Sequence, residues 1–303
     1  MDVFVTGASG YVGSEVATAF ARAGHCVHGL VRSAAKCRAL AGAEVQPVMG
    51  SIEDATSWEA VARRCEVLIH CAVQYTSRMF EFDRRAVSAL LRIASGARES
   101  CTFIYTSGVW LYGDTAGTVV DEESPVNPAE LVRERVEIED SVLATRRDGM
   151  RPIAIRVGCV YGASGSLTAT WFDTAHKHGS ARIVGDGSNR WAMVHVQDLA
   201  DLYLRAAESD ACGEVFNATD RSRSTVFECA RAASFAAGAK GRVEKVSLEQ
   251  ARKEMGLEAD CLTLDQNVDS RKAMSRLGWL PRHPNFIDGV DRYYAAWRAL
   301  QED

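Results

Sequence analysis

Val3-Phe4-Val5-Thr6-Gly7-Ala8-Ser9-Gly10-Tyr11-Val12-Gly13 decides how the rest of the sequence is read. An apolar, β-branched run gives way to three spaced glycines, and apolar residues at helical spacing follow from Gly13 to Ala23. A strand, a glycine-rich loop and a helix in that order bring a pyrophosphate to the positive end of a helix. Gly7 permits the tight turn, Gly10 lets backbone amides approach the phosphates, and Gly13 lets the helix pack closely on the strand. Ser9, Tyr11 and Val12 complete the loop expected to contact a dinucleotide.

A second strand, Cys26–Val31, ends at Arg32. A site selective for NAD places a carboxylate there to hold the ribose 2′-hydroxyl. A guanidinium instead grips a 2′-phosphate, and Ser33 and Lys36 add further donors. The expected cofactor is therefore NADP, with NAD left open. Ser51 and Ile52, after the third strand, border the adenine. Cys71, Ala72 and Val73, at the end of the fourth, lie beside the ribose.

Further strands are expected at Glu44–Met49, Val67–Cys71, Thr102–Thr106, Ile153–Val157 and Val215–Ala218. Helices are expected at Ala34–Ala41, Ser57–Cys65, Asp83–Ala97 and from about Glu130 to Arg147. The alternation predicts an α/β protein with a Rossmann-type, doubly wound parallel sheet. The last 80 residues carry short helical pieces and predict a smaller, mostly helical C-terminal substrate lobe. The corresponding division is 1–165 with 192–218 for the dinucleotide-binding domain, and 166–191 with 219–303 for the substrate lobe.

With 303 residues, 47% hydrophobic and 25% charged, the chain has the composition of a globular protein that can bury a large core. Its net charge of -5 and lack of a basic run argue against a nucleic-acid partner and favour a small-molecule substrate. The nine cysteines are odd in number, spread out and free of C-x-x-C pairs, so they read as reduced thiols. A strand at the very start leaves no room for a signal peptide, and no apolar run reaches ~18 residues, so a cytoplasmic, membrane-free protein is expected.

Four more segments extend the pattern of the first loop. They are Tyr105-Thr106-Ser107-Gly108-Val109-Trp110-Leu111-Tyr112-Gly113, Arg156-Val157-Gly158-Cys159-Val160-Tyr161-Gly162, Val194-His195-Val196-Gln197-Asp198-Leu199-Ala200, and Ser270-Arg271-Lys272-Ala273 with Leu277-Gly278-Trp279-Leu280-Pro281. In this order they resemble the extended and atypical short-chain dehydrogenase/reductases, the NAD-dependent epimerase/dehydratase group, over nearly the whole chain. The resemblance implies a nicotinamide cofactor and hydride chemistry. It also implies a Tyr-x-x-x-Lys pair, whose lysine lowers the tyrosine pKa so that the phenol exchanges a proton with substrate.

No tyrosine here has a lysine four residues later. On the family's helix Leu131 takes the tyrosine position and Arg135 the lysine position, and Gly108 replaces the catalytic serine or threonine. Arg135 can hold the nicotinamide ribose but cannot act as a base. Ser107, Tyr112 and Arg135 are the catalytic candidates, with Tyr75, Tyr161, His176 and His178 as further proton carriers near the strand C-termini. His176 and His178, two apart on a helix, face different ways, so no metal site is expected there or elsewhere. Residues 166–191 should form a pocket wall, with Trp171, Arg190 and Trp191 joining Tyr75 around an anionic or aromatic substrate. The resemblance leaves open a homodimer through the long helix.

Three functions remain open at this point. The first is an NADP-dependent oxidoreductase on a small carbonyl or alcohol, with an atypical active site. The others are an epimerase, dehydratase or lyase that retains its cofactor on a sugar or natural-product skeleton, and a non-redox NADP-binding protein.

Overall fold

In the computed structural model, which describes residues 1–96, 100–147, 149–163 and 165–301, strands and helices alternate from the first residues. The first half comprises β1 (Asp2–Thr6), α1 (Tyr11–Arg22), β2 (Cys26–Val31), α2 (Ala34–Gly42), β3 (Gln46–Met49), α3 (Glu59–Ala62), β4 (Val67–His70), α4 (Met79–Ser95), β5 (Cys101–Gly108), α5 (Glu134–Leu143) and β6 (Met150–Val157). There follow β7 (Cys159–Tyr161), α6 (Ala169–His178), β8 (Ala181–Val184), β9 (Met193–His195), α7 (Val196–Glu208), β10 (Glu214–Ala218), α8 (Val226–Ala236), β11 (Val243–Val246), α9 (Leu248–Met255), α10 (Glu258–Leu262), α11 (Arg271–Leu277) and α12 (Val290–Ala299).

The central sheet has seven parallel strands in the order β3-β2-β1-β4-β5-β6-β10. Strand order reverses between β1 and β4, so the crevice that binds ligand in doubly wound sheets opens there, at the strand C-termini. Apolar side chains cover both faces, as a sheet with helices on each side requires. Val3 and Val5 pack with Val16, Phe20 and Tyr203 on one face. Phe4, Leu68 and Phe103 pack with Trp58, Leu90 and Ile93 on the other. Two small parallel pairs, β7 with β9 and β8 with β11, were not expected from the sequence. They are three or four residues long, too short to show a period.

Three helices differ from expectation, the first being α3, a single turn at Glu59–Ala62 after a 3-10 turn at Ala55–Ser57 where Ser57–Cys65 was foreseen. The helix foreseen from Glu130 to Arg147 is α5 preceded by a 3-10 turn, Glu130–Val132. It stops early because the chain turns into β6 at Gly149, whose φ of 79° a glycine adopts freely, with Arg147 bridging Met150. Helix α4 begins at Met79, a turn ahead of Asp83, and its expected end, Ala97, lies outside the described residues.

A buried polar hub ties α5, β6 and β10 together. Arg156 of β6 donates from Nη2 and Nε to the Glu139 carboxylate of α5 at 2.6 and 3.1 Å. Its Nη1 donates to the Tyr112 hydroxyl at 2.8 Å, and that hydroxyl donates to Asn217 Oδ1 of β10 at 2.9 Å. Glu139 is 2% exposed and Arg156 7%. Removing one partner leaves the other charge buried and unpaired, which costs about 3–5 kcal/mol. Glu139→Ala is expected to lower unfolding stability by that amount in urea titrations; a loss below about 1 kcal/mol would contradict the hub.

Candidate dinucleotide and active site

The loop after β1 is held by close backbone contacts. Gly7 has φ 72°, and a Cβ there would stand 2.7 Å from the Ala72 nitrogen at the end of β4. A Cβ at Gly13 would stand 2.2 Å from the Gly7 carbonyl oxygen. The turn closes with the Gly10 amide donating to that carbonyl at 2.8 Å. No side chain caps the α1 N-terminus, so its first amides and the helix dipole face the crevice. This cradle fits a pyrophosphate. Ser9, Tyr11 and Val12 lie in it, part-buried, and the Tyr11 hydroxyl reaches over to donate to the Gly162 carbonyl at 2.7 Å.

Arg32 follows β2 directly and is exposed, and among the described residues it has no hydrogen bond or ion pair. Lys36 lies one helical turn on, also exposed. The Ser33 hydroxyl is already engaged, accepting the Lys36 amide as the cap of α2. Ser51 and Ile52 follow β3, with Ile52 buried at 8% exposure and the Ser51 carbonyl accepting from Trp58 Nε1 at 2.9 Å. Cys71 accepts from the Thr106 hydroxyl at 3.4 Å, and burial pushes its thiol up to about 11. Ala72 and Val73 continue along the rim, Val73 exposed.

Beneath that rim is a network whose pairing the sequence does not reveal. His70, the last residue of β4, meets Thr6 Oγ1 at 2.7 Å through Nδ1 and Asp83 Oδ1 at 2.9 Å through Nε2. The Tyr105 hydroxyl donates to Asp83 Oδ2 at 2.8 Å. Burial works against ionisation of Asp83, but the hydrogen bond and charge of His70, then Arg135 and Tyr105, hold its carboxyl below the usual range. The network spans β1, β4, β5 and α4 directly under the cofactor loop.

Leu131 sits in the 3-10 turn before α5, packed on the apolar core, with no group able to carry a proton. Arg135, one turn later, donates from Nη1 to the Thr106 carbonyl at 3.2 Å and lies 5.7 Å over the Phe80 ring. Ser107 is 3% exposed, and its hydroxyl has no hydrogen-bond partner among the described residues. A buried polar atom without a partner costs about 1–3 kcal/mol, which makes it a candidate to meet a ligand. Tyr112 is a correction to the catalytic list: its hydroxyl is fully engaged by Arg156 and Asn217, and the ring is 3% exposed.

The residues expected to form an aromatic wall are packed or paired within the C-terminal core. Trp171 and Trp191 are 2% and 8% exposed and stack at 5.0 Å within the C-terminal core, and Trp191 Nε1 donates to the Leu262 carbonyl. Arg190 is held by Asp265 in a two-pronged ion pair at 2.9 and 2.6 Å, so its charge is already matched. The two tryptophans border a recess of about 140 Å³ with Arg182 and Glu258. Tyr75 stands apart, 88% exposed on the loop after β4, with its hydroxyl in the fields of Arg135 and Glu258. His176, on α6, is bonded to Tyr294 and Arg298 of α12.

A second buried cluster was not foreseen. His195 caps α7 and stacks on His283 at 3.5 Å, and His283 donates its amide to Asp198 at 2.9 Å. Parallel stacked rings present parallel lone pairs, which do not converge on one ion. The Tyr161 hydroxyl donates to Asp220 Oδ2 at 2.9 Å, beside the same rings.

The family profile described as NAD dependent epimerase/dehydratase matches residues 3–219. The chain belongs to this family. The chain is similar to 4-hydroxy-2-methyl-3-oxo-4-farnesyl-3,4-dihydroquinoline-1-oxide ketoreductase of Stigmatella aurantiaca, 27% identical over 228 residues, covering 73% of this chain and 68% of that protein. Its fold is similar to that of dTDP-glucose 4,6-dehydratase from Bacillus anthracis, solved with NAD, at TM-score 0.84 and 17% identity over 100% of this chain and 98% of that one. It is also similar to that of human epimerase family protein SDR39U1, solved with NADPH, at TM-score 0.80 and 18% identity over 97% and 99%. The Rossmann-type sheet, the glycine cradle and the family together make this edge a nicotinamide-nucleotide site.

Burial pushes the Asp220 carboxyl up to about 6, so the folded protein holds a proton there that the unfolded chain, near ~3.9, releases. That contribution is fully present below ~4 and is lost as pH rises through about 6. Burial, then the charges of His283 and Arg292, push His195 down to about 3, against ~6.5 unfolded. Its contribution is present above ~6.5 and is lost as pH falls toward about 3. Between ~4 and ~6 the two slopes oppose each other. Asp220→Asn is expected to remove one of them and steepen the loss of stability on acidification. An unchanged slope in urea titrations across that range would contradict the assignment.

Proposed function

We propose that the chain is an NADP(H)-dependent reductase of a small carbonyl compound that works without the phenol of its family. Leu131 carries this conclusion. An epimerase or dehydratase of this kind first oxidises an alcohol, so a base must accept the hydroxyl proton. Leu131 has no such group, and Arg135 stays protonated. Reduction in one direction demands less: donors to polarise a carbonyl oxygen, and a single proton.

Bound in the cradle, a reduced nicotinamide supplies the hydride. Arg135 holds the ribose with the guanidinium donors that Thr106 does not use. The unpartnered Ser107 hydroxyl donates to the carbonyl oxygen as it gains charge. The proton comes from water or from the exposed Tyr75 hydroxyl at the mouth of the crevice. Without a phenol tuned by lysine, the rate falls short of a complete family site by about 10²–10⁴-fold, the usual worth of general acid–base catalysis. Activated carbonyls suit such a site better than simple ketones. The preference for NADP rests on the unpaired Arg32 guanidinium, where a charged contact to phosphate is worth about 1.5–3 kcal/mol. A ketoreductase among the relatives and a structural neighbour that binds NADPH support the same choice.

Arg32→Ala is expected to weaken NADPH binding at least about tenfold in calorimetric titrations while leaving NADH nearly unchanged; equal losses for both would remove the case for NADP. Leu131→Tyr sets a phenol one turn from Arg135, and kcat for NADPH oxidation with an activated carbonyl is expected to rise at least about tenfold. A rate unaffected by that change would show that proton delivery does not limit this site.

A further inference from the structure

At the end of the sheet opposite the cofactor crevice, β1 and β2 bring three different ligand types together. Register pairs Asp2 with Cys26, and Cys26 and His28 are two residues apart on one strand, so all three side chains leave the same face. The same i, i+2 spacing that separates His176 from His178 on a helix unites Cys26 and His28 on a strand. The ligand atoms of Asp2, Cys26 and His28 all lie within 4.8 Å of one another. Cys26 Sγ is 3.8 Å from His28 Nε2. Zinc bonds of ~2.3 Å to sulfur and ~2.0 Å to nitrogen set a tetrahedral S···N separation of about 3.6 Å. For the sulfur and the imidazole the adjustment is only a few tenths of an ångström.

We propose that Asp2, Cys26 and His28 form a binding site for a thiophilic divalent cation of the Zn2+ class. Thiolate, imidazole and carboxylate form a mixed set that selects such an ion over Mg2+ or Ca2+, and three protein ligands leave a fourth position to water. The thiol gives up its proton to solvent when the metal binds. Gln46, paired with His28 from β3, donates from Nε2 to the same sulfur at 3.2 Å and orients it. Two strands of the central sheet fix the ligands, so the ion pins β1 to β2 away from the hydride chemistry.

The full chain is titrated with Zn2+ by calorimetry, and with Cd2+ while following the ultraviolet thiolate-to-cadmium band. One saturable site is expected, weakened at least about tenfold in both Cys26→Ser and His28→Gln. Zn2+ should raise the melting temperature of the wild type but not of the variants. NADPH affinity of both variants should equal that of the wild type, which also reports that they fold. The chain has nine cysteines, so a wild-type band and affinity in Cys26→Ser would assign binding to another thiol and overturn the proposal. The absence of saturable binding in the wild type would overturn it as well.

Discussion

No side-chain carbon fits at position 13, where it would stand 2.2 Å from the Gly7 carbonyl oxygen. That contact lets α1 run tight against β1 and sets the helix N-terminus at the point where strand order reverses. The uncapped amides, the Arg32 guanidinium at the end of β2 and the ends of β4 and β5 are positioned relative to it. Position 7 is constrained in the same way by the backbone of Cys71 and Ala72, so the loop locks β1 to β4 at the edge where ligand enters.

The cofactor half of the site is built from backbone and the rest of it from side chains. The cradle keeps every backbone feature that a pyrophosphate needs. Leu131, which packs against the core from the turn before α5, offers no group that carries a proton, and Arg135, one turn on, offers guanidinium donors. At the end of β5 the buried Ser107 hydroxyl has no partner among the described residues, and the carbonyl of the residue before it accepts from the Arg135 guanidinium. Such a pair can stabilise developing negative charge on a carbonyl oxygen but cannot abstract a proton from an alcohol.

The parts legible in sequence were those with short-range signals. Glycine spacing, β-branched runs and the Arg32 position each depend on neighbours within a few residues; the runs form the strands of the sheet, and the loop after β1 and Arg32 after β2 lie at its same edge. Tyr112 has the family's local motif, yet its hydroxyl is taken by Arg156 and Asn217, which come from strands far along the chain. Arg190 looked available until Asp265, 75 residues away, was brought against it. The His70 network links residues 6, 70, 83 and 105, and no periodicity connects them. Cys26 and His28 were not singled out in the sequence, although a strand's period of two puts both on one face, and only the register of β1 with β2 brings Asp2 to them.

The account stands most directly on where the hydride goes. With NADPH deuterated at the transferring C4 position and a panel of small activated carbonyls, mass spectrometry of the alcohol formed reads the transfer itself. One deuterium per product, with one NADPH consumed for each, is the expected result. If no carbonyl is reduced, and a sugar or related alcohol is instead isomerised or dehydrated with bound cofactor unchanged, the protein is a cofactor-retaining enzyme and the role assigned to Leu131 is wrong.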